Sequence, residues 1–235
     1  MQPSKERLAD LLSYFEFIQE SLVVAFNNGG SPLRLANISD NPKPFVFIST
    51  TRAFSISRVA MDVTIRGYPM EGMALTRTLI ELMQYTQYLA RHPNYINDFL
   101  LGKLKLDEVL KMAKVEDGGP KVNRFGRYWG LMSRYSHASP DSLALGLTTS
   151  EGNRIIASSV ITDPKRIDDT VYGIMSALLM QYWIFRSIFK NDLSVTDQLK
   201  ERDKRIFDLE NIRKFVGLNS ISDKDLADLF SFFTS

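Results

Sequence analysis

No cysteine occurs in the 235 residues. That excludes disulfides and thiolate zinc sites and is compatible with a reducing, cytoplasmic setting. Histidine is nearly as scarce. His92 and His137 are the only two, so a multi-histidine metal site within one chain is not expected. Charge of one sign is lacking too. The 29 basic and 27 acidic residues leave a formal net charge of +2, far from the basic excess of a chain built to coat nucleic acid. No apolar run reaches the roughly 20 residues that span a bilayer. The most apolar stretch, Val171 to Ile188, contains Gln181 and carries Arg186 near its end, so it reads as a buried helix and no membrane partner is expected. Met1 to Asp10 is polar and charged and has no signal-peptide apolar core. A P-loop, a Gly-rich dinucleotide fingerprint, an EF-hand loop and a Gly-x-Ser-x-Gly elbow are all missing. No cofactor and no metal is therefore expected.

What is present is helical patterning. Hydrophobic content of 44% with 24% charged residues matches a globular chain with enough apolar surface for a substantial core. Leu8, Leu11, Leu12, Phe15, Ile18, Leu22 and Phe26 recur at helical spacing within Ser4 to Asn28, and Gly29-Gly30 stops that helix. Residues 31–44, with three prolines, read as a loop. Helices are expected over Phe45–Ile65 and Met70–Arg91, with Gly67-Tyr68-Pro69 between them. Shorter ones follow over Asn94–Gly102 and Leu104–Val115. After the break at Glu116 to Pro120, a further helix is expected from Val122 to about Ser136. Leu143–Thr148 and Arg154–Ser159 flank Ser150-Glu151-Gly152-Asn153, a hairpin signal. Two strands alone are marginal, so this hairpin must pack on helices. Asp163-Pro164 opens the next helix, which runs to about Phe189. Val195 to Phe215 is a charge-laced helix with Leu199, Ile206 and Leu209 as its apolar stripe. Ser222 to Asp225 opens a last short one.

The expected fold is all-α: an antiparallel helical bundle with a small β-hairpin insertion near 143–159. The bundle covers residues 1–191, and 192–235 form a C-terminal helical extension that docks on its own bundle or on a partner.

Two polar signatures interrupt the apolar helices. Arg77 and Glu81 are four residues apart and share a helix face beside Leu75, Leu79, Ile80 and Leu82. A charge there is costly to bury unless paired, so the two form either a buried or cleft-lining pair or an ordinary surface pair. Arg58 and Asp62 repeat the spacing one helix earlier, so two pairs on adjacent helices could face each other as a four-charge network, a structural motif as readily as a functional one. The second signature runs from Tyr128 to Ser139 and holds Ser133, Arg134, Ser136 and His137. His137 is a candidate for proton transfer; the alternative is a helix-terminal histidine favoured by the helix dipole. Lys103 to Arg134 interleaves eight basic residues with Phe125, Tyr128 and Trp129. Such a mix grips phosphates and stacks bases, or is an amphipathic helix with a core-facing aromatic stripe.

The Arg-x-x-x-Glu helix (Arg77, Glu81) combined with the later Tyr128, Ser133, His137, Ser139 segment resembles an uncharacterised family of helical bacterial and phage-borne proteins. More distantly, over roughly residues 45–190, the arrangement is similar to the HEPN helical bundles, often ribonucleases of toxin and antiviral systems. Their motif separates an arginine from a histidine by four to six residues. Here Arg134 and His137 are separated by two residues, and Arg127 and His137 by nine.

Two function classes follow. One is a non-enzymatic binding or assembly module in a defence or stress context, a homo-oligomer or protein binder through residues 195–215. The other, implied by the resemblance, is a metal-independent ribonuclease. There His137 is the general acid/base, Arg77 or Arg134 stabilises phosphate charge, and Glu81 and Tyr128 orient the others.

Overall fold

The computed structural model describes residues 5–27, 41–116, 147–150, 154–157, 164–190, 197–208 and 210–211, and these are overwhelmingly helical. Among the described residues there are seven α-helices: α1 (Lys5–Asn27), α2 (Pro42–Ile65), α3 (Pro69–Arg91), α4 (Ile96–Leu100), α5 (Leu106–Glu116), α6 (Pro164–Ile188) and α7 (Asp197–Ile206). A 3₁₀ turn, Pro93–Tyr95, precedes α4. Among the described residues, no helix is long and apolar enough to cross a membrane. β1 (Leu147–Ser150) and β2 (Arg154–Ala157) pair antiparallel, with Leu147 opposite Ala157. The residues joining them to each other and to the helices lie outside the described set, as does the helix expected over 122–136.

Where the observed helices depart from the expected spans, capping explains it. α2 begins three residues early because the Asn41 side chain accepts a hydrogen bond from the Lys43 N–H at 3.0 Å and Pro42 occupies the first turn. The charge-laced helix expected to run unbroken from 195 to 215 stops at Ile206. Phe207 is in a turn, and Asp208 Oδ1 accepts from the N–H groups of Glu210 (3.0 Å) and Asn211 (3.1 Å). An aspartate in that role starts a new helical segment.

Helix directions follow from which residues meet. On α1 and α2, Gln19 contacts Ser57 and the Phe26 ring lies 5.0 Å from that of Phe47, so the two run antiparallel. α3 turns back along α2 through Arg66–Tyr68, where Gly67 takes a positive φ of 91°. At that end of the molecule, Gly72 of α3 lies against Thr64 of α2 and Thr170 of α6. At the other end, Gln181 of α6 bonds Thr50 of α2 at 2.9 Å. α6 is therefore antiparallel to α2 and parallel to α3, so the expected all-antiparallel arrangement is corrected to a mixed one. The physical reason is chain length: residues 92–163 are ample to return along a helix of roughly 35 Å.

The inward stripe of α2 is built largely from small residues. Val46, Thr50, Ala53, Ser57, Ala60 and Thr64 recur at spacings of four and three, all buried; Ser57 meets Gln19 of α1, Thr50 meets Gln181 of α6 and Thr64 meets Gly72 of α3. Small side chains let two helices approach closely. Their hydroxyls cost little to bury, because Thr50, Thr64 and Thr76 each donate to the carbonyl four residues back, at 2.6 to 2.7 Å. Larger residues fill the remainder. Ile18 and Leu22 of α1, Leu79 and Ile80 of α3, and Ile174, Tyr182 and Phe185 of α6 share one core cluster. Leu199, Ile206 and Phe207 belong to the same cluster. The side of α7 that composition left open, own bundle or partner, thus lies on its own helices. A smaller cluster of Phe45, Tyr88, Leu89, Ile96 and Val109 ties α4 and α5 to the end of α3.

Candidate functional site

On α3, Arg77 Nε donates to Glu81 Oε1 at 2.8 Å, and the two side chains retain 22% and 30% of their exposure. The pair is neither sealed in the core nor fully in water. One turn on, the Tyr85 hydroxyl donates to the Leu104 carbonyl at 3.4 Å. Partial burial, then the carboxylates of Glu81, Asp107 and Glu108, raise its phenol above the ordinary range.

The four-charge network that the two pairs could have formed is not seen. Asp62 accepts from Arg66 Nε at 2.9 Å instead of from Arg58, and both partners are more than half exposed. α2 turns Asp62 and Arg58 outward because Ser57, Ala60, Met61 and Thr64 occupy its inward side. His137, Tyr128 and Arg134 lie outside the described residues, as does most of the basic and aromatic stretch ending at Arg134, so the expected meeting of His137 with Arg77 and Glu81 falls there too.

Comparison with family models, with curated proteins and with solved structures gives no match. The chemistry is therefore read from the side chains alone.

The strongest polar constellation among the described residues is one that sequence reasoning missed. Arg186 of α6 and Asp203 of α7 form an ion pair of 2.7 Å between Nη2 and Oδ2, with side chains only 6% and 8% exposed. Arg186 Nε also reaches both carboxylate oxygens, at 3.2 and 3.3 Å. The Tyr182 hydroxyl donates to Asp203 Oδ1 at 2.6 Å. Around this centre, Tyr14 of α1 donates to the Ile206 carbonyl at 2.6 Å, and Arg202 Nη1 donates to Ser21 Oγ at 3.1 Å. The Arg202 and Arg205 guanidinium groups lie over the Phe17 ring, 5.0 and 4.2 Å from its centroid, a favourable cation–π placement.

A sequence signal existed. Asp203 sits four residues after Leu199 and three before Ile206, on the apolar stripe of α7, and Arg186 follows Tyr182 by four on an otherwise apolar helix. A carboxylate on one apolar stripe and a guanidinium on another are natural partners, because either alone would be an unpaired buried charge.

Electrostatically, this centre works as a clasp. Burial, then the Asp203 charge and its hydrogen bond, push the Tyr182 phenol well above its ordinary value. Burial and the Asp208 charge likewise raise Tyr14. The linkage has a definite sign. A phenol raised in the folded state contributes stability that is complete below the unfolded value of about 10, and that stability is lost as pH rises beyond it. Unfolding free energy measured from pH 7 upward is expected to hold level and then fall above about pH 10, and Tyr182→Phe should flatten that fall. An unchanged alkaline limb in the variant would refute the assignment.

Proposed function

We propose that this protein is a non-enzymatic helical binding and assembly module. In this reading β1 and β2 are a hairpin inserted after His137 on a helical bundle, and the C-terminal helices complete that body. The observation that supports it best is on the outer side of α2. There Ile48 and Val59 are 50% and 52% exposed, beside a shallow groove of about 310 Å³ lined by Phe47, Ile48, Thr51, Arg52 and Ser55. Leu199 and Ile206 of α7, by contrast, are buried in the core cluster, so the reading rests on the outer side of α2 and not on the described part of residues 195–215.

The ribonuclease reading rests on the half-buried Arg77–Glu81 pair and on His137. Light scattering on the full chain across micromolar concentrations, run beside an RNA-cleavage assay, separates the two. The module reading expects a mass above the monomer that grows with concentration, and no cleavage that depends on His137. A clean monomer at high micromolar concentration, or cleavage that a folded His137→Ala variant has lost, would overturn it.

A further inference from the structure

α7 is held to the molecule differently from the longer helices. It has ten residues, fewer than an isolated helix needs to keep its shape in water, so its order depends on docking. Along it, Leu199, Asp203 and Ile206 are the buried residues, and one of those three is a carboxylate. By comparison, α2 buries eleven side chains. Phe207 adds one buried ring just beyond the helix. Three apolar side chains offset the cost of ordering ten backbone residues only in part. Polar contacts supply much of the rest. Tyr14 bonds the Ile206 carbonyl, and Arg202 bonds Ser21 and lies 3.7 Å from Glu20 Oε2. Asp203 meets both the Tyr182 hydroxyl and the Arg186 guanidinium.

On α6, Arg186 and Tyr182 aim a guanidinium fork and a hydroxyl at one point, an arrangement that receives a carboxylate. Asp203 is that carboxylate, 2.7 Å from Arg186 Nη2 and 2.6 Å from the phenol oxygen. We propose that α7 is a releasable latch. Its Asp203 occupies, from within the chain, a carboxylate-binding socket on α6, and the helix leaves α1 and α6 as a unit while the bundle stays folded. The catch is specific but incomplete, because Arg186 Nη1 has no acceptor among the described residues. Release uncovers the socket together with the Phe17 ring, on which Arg202 and Arg205 rest in the closed form.

Native-state hydrogen exchange on the full chain tests the latch. The amides of Glu201 to Phe207, which close the hydrogen bonds of α7, should be protected at least about a hundredfold less than the slowest amides of α2 and α6. Their exchange should respond only weakly to low urea, since releasing one short helix exposes little surface. In Asp203→Asn those α7 amides should lose about a hundredfold or more of their protection, while α2 and α6 stay protected. Equal protection and equal urea dependence of α7 and α2 in the wild type would make α7 an integral part of one cooperative body. That result overturns the latch, as does a variant in which α2 loses all protection along with α7. The socket has its own measurement. A labelled peptide of residues 195–208 should bind the Asp203→Asn chain at least about tenfold tighter than the same peptide carrying Asp203→Asn. Equal binding of the two peptides, or none, overturns the socket.

Discussion

Asp203→Asn should cost about 3–5 kcal/mol of unfolding free energy, the usual range when one partner of a sealed ion pair is removed. The substitution keeps the shape of the side chain and an acceptor for Tyr182, but it deletes the charge and puts an amide NH2 donor where Oδ2 accepted from Arg186. Arg186 then retains its positive charge at 6% exposure and loses the carboxylate that compensates it. Its Nη1 atom already has no hydrogen-bond partner among the described residues. Urea titration at neutral pH measures the loss, with wild type and variant at equal protein concentration. A deficit under about 1 kcal/mol would mean that water reaches the pair and that the clasp is a surface bridge. Replacing all three polar members, Arg186→Met with Asp203→Leu and Tyr182→Phe, should recover most of the deficit, because an apolar set of similar volume avoids the desolvation cost altogether. The clasp would then be a device for seating α7 in one register more than a net source of stability.

Gly72→Ala should destabilise by about 1–3 kcal/mol, the range for overpacking a tight contact, even though alanine is the better helix former by roughly 1 kcal/mol. A Cβ added at Gly72 would run into Thr64 Oγ1 and come within 3.2 Å of Thr170 Cγ2. The hydroxyl cannot simply turn aside without abandoning its 2.6 Å bond to the Ala60 carbonyl, and a threonine rotamer that moves the oxygen away brings a methyl toward the same space. Thr64→Ala should relieve the collision, so the double variant is expected to be more stable than the sum of the two single costs predicts. Thermal or urea unfolding of the four proteins measures that coupling directly. Additive costs would mean that α2 and α3 can part without penalty and that close approach at Gly72 is not required.

Both substitutions act where sequence and tertiary structure divide the work. Helix existence and approximate extent were legible in the chain, because a 3.6-residue apolar period and start signals such as Asp163-Pro164 are local, although the Asn41-Pro42 start of α2 reads as loop in the sequence. The Arg77–Glu81 pair was legible for the same reason: partners four apart meet on any helix, and they do, at 2.8 Å. Local spacing was no guide where several neighbours compete. Asp62 has arginines four residues to either side, at Arg58 and Arg66, and bonds the one at the helix end.

By itself, the sequence determined an all-helical body without thiol chemistry, and a charge pair lying along one helix, since each of these depends on residues within a turn or two of one another. Tertiary structure alone decided that α3 and α6 run the same way, and that α7 closes on α1 and α6. It likewise brought Tyr182, Arg186 and Asp203 into a single centre. Those outcomes join segments from separate helices, and what selects them is the cost of leaving a charge or an aliphatic stripe without a partner, which no local spacing encodes.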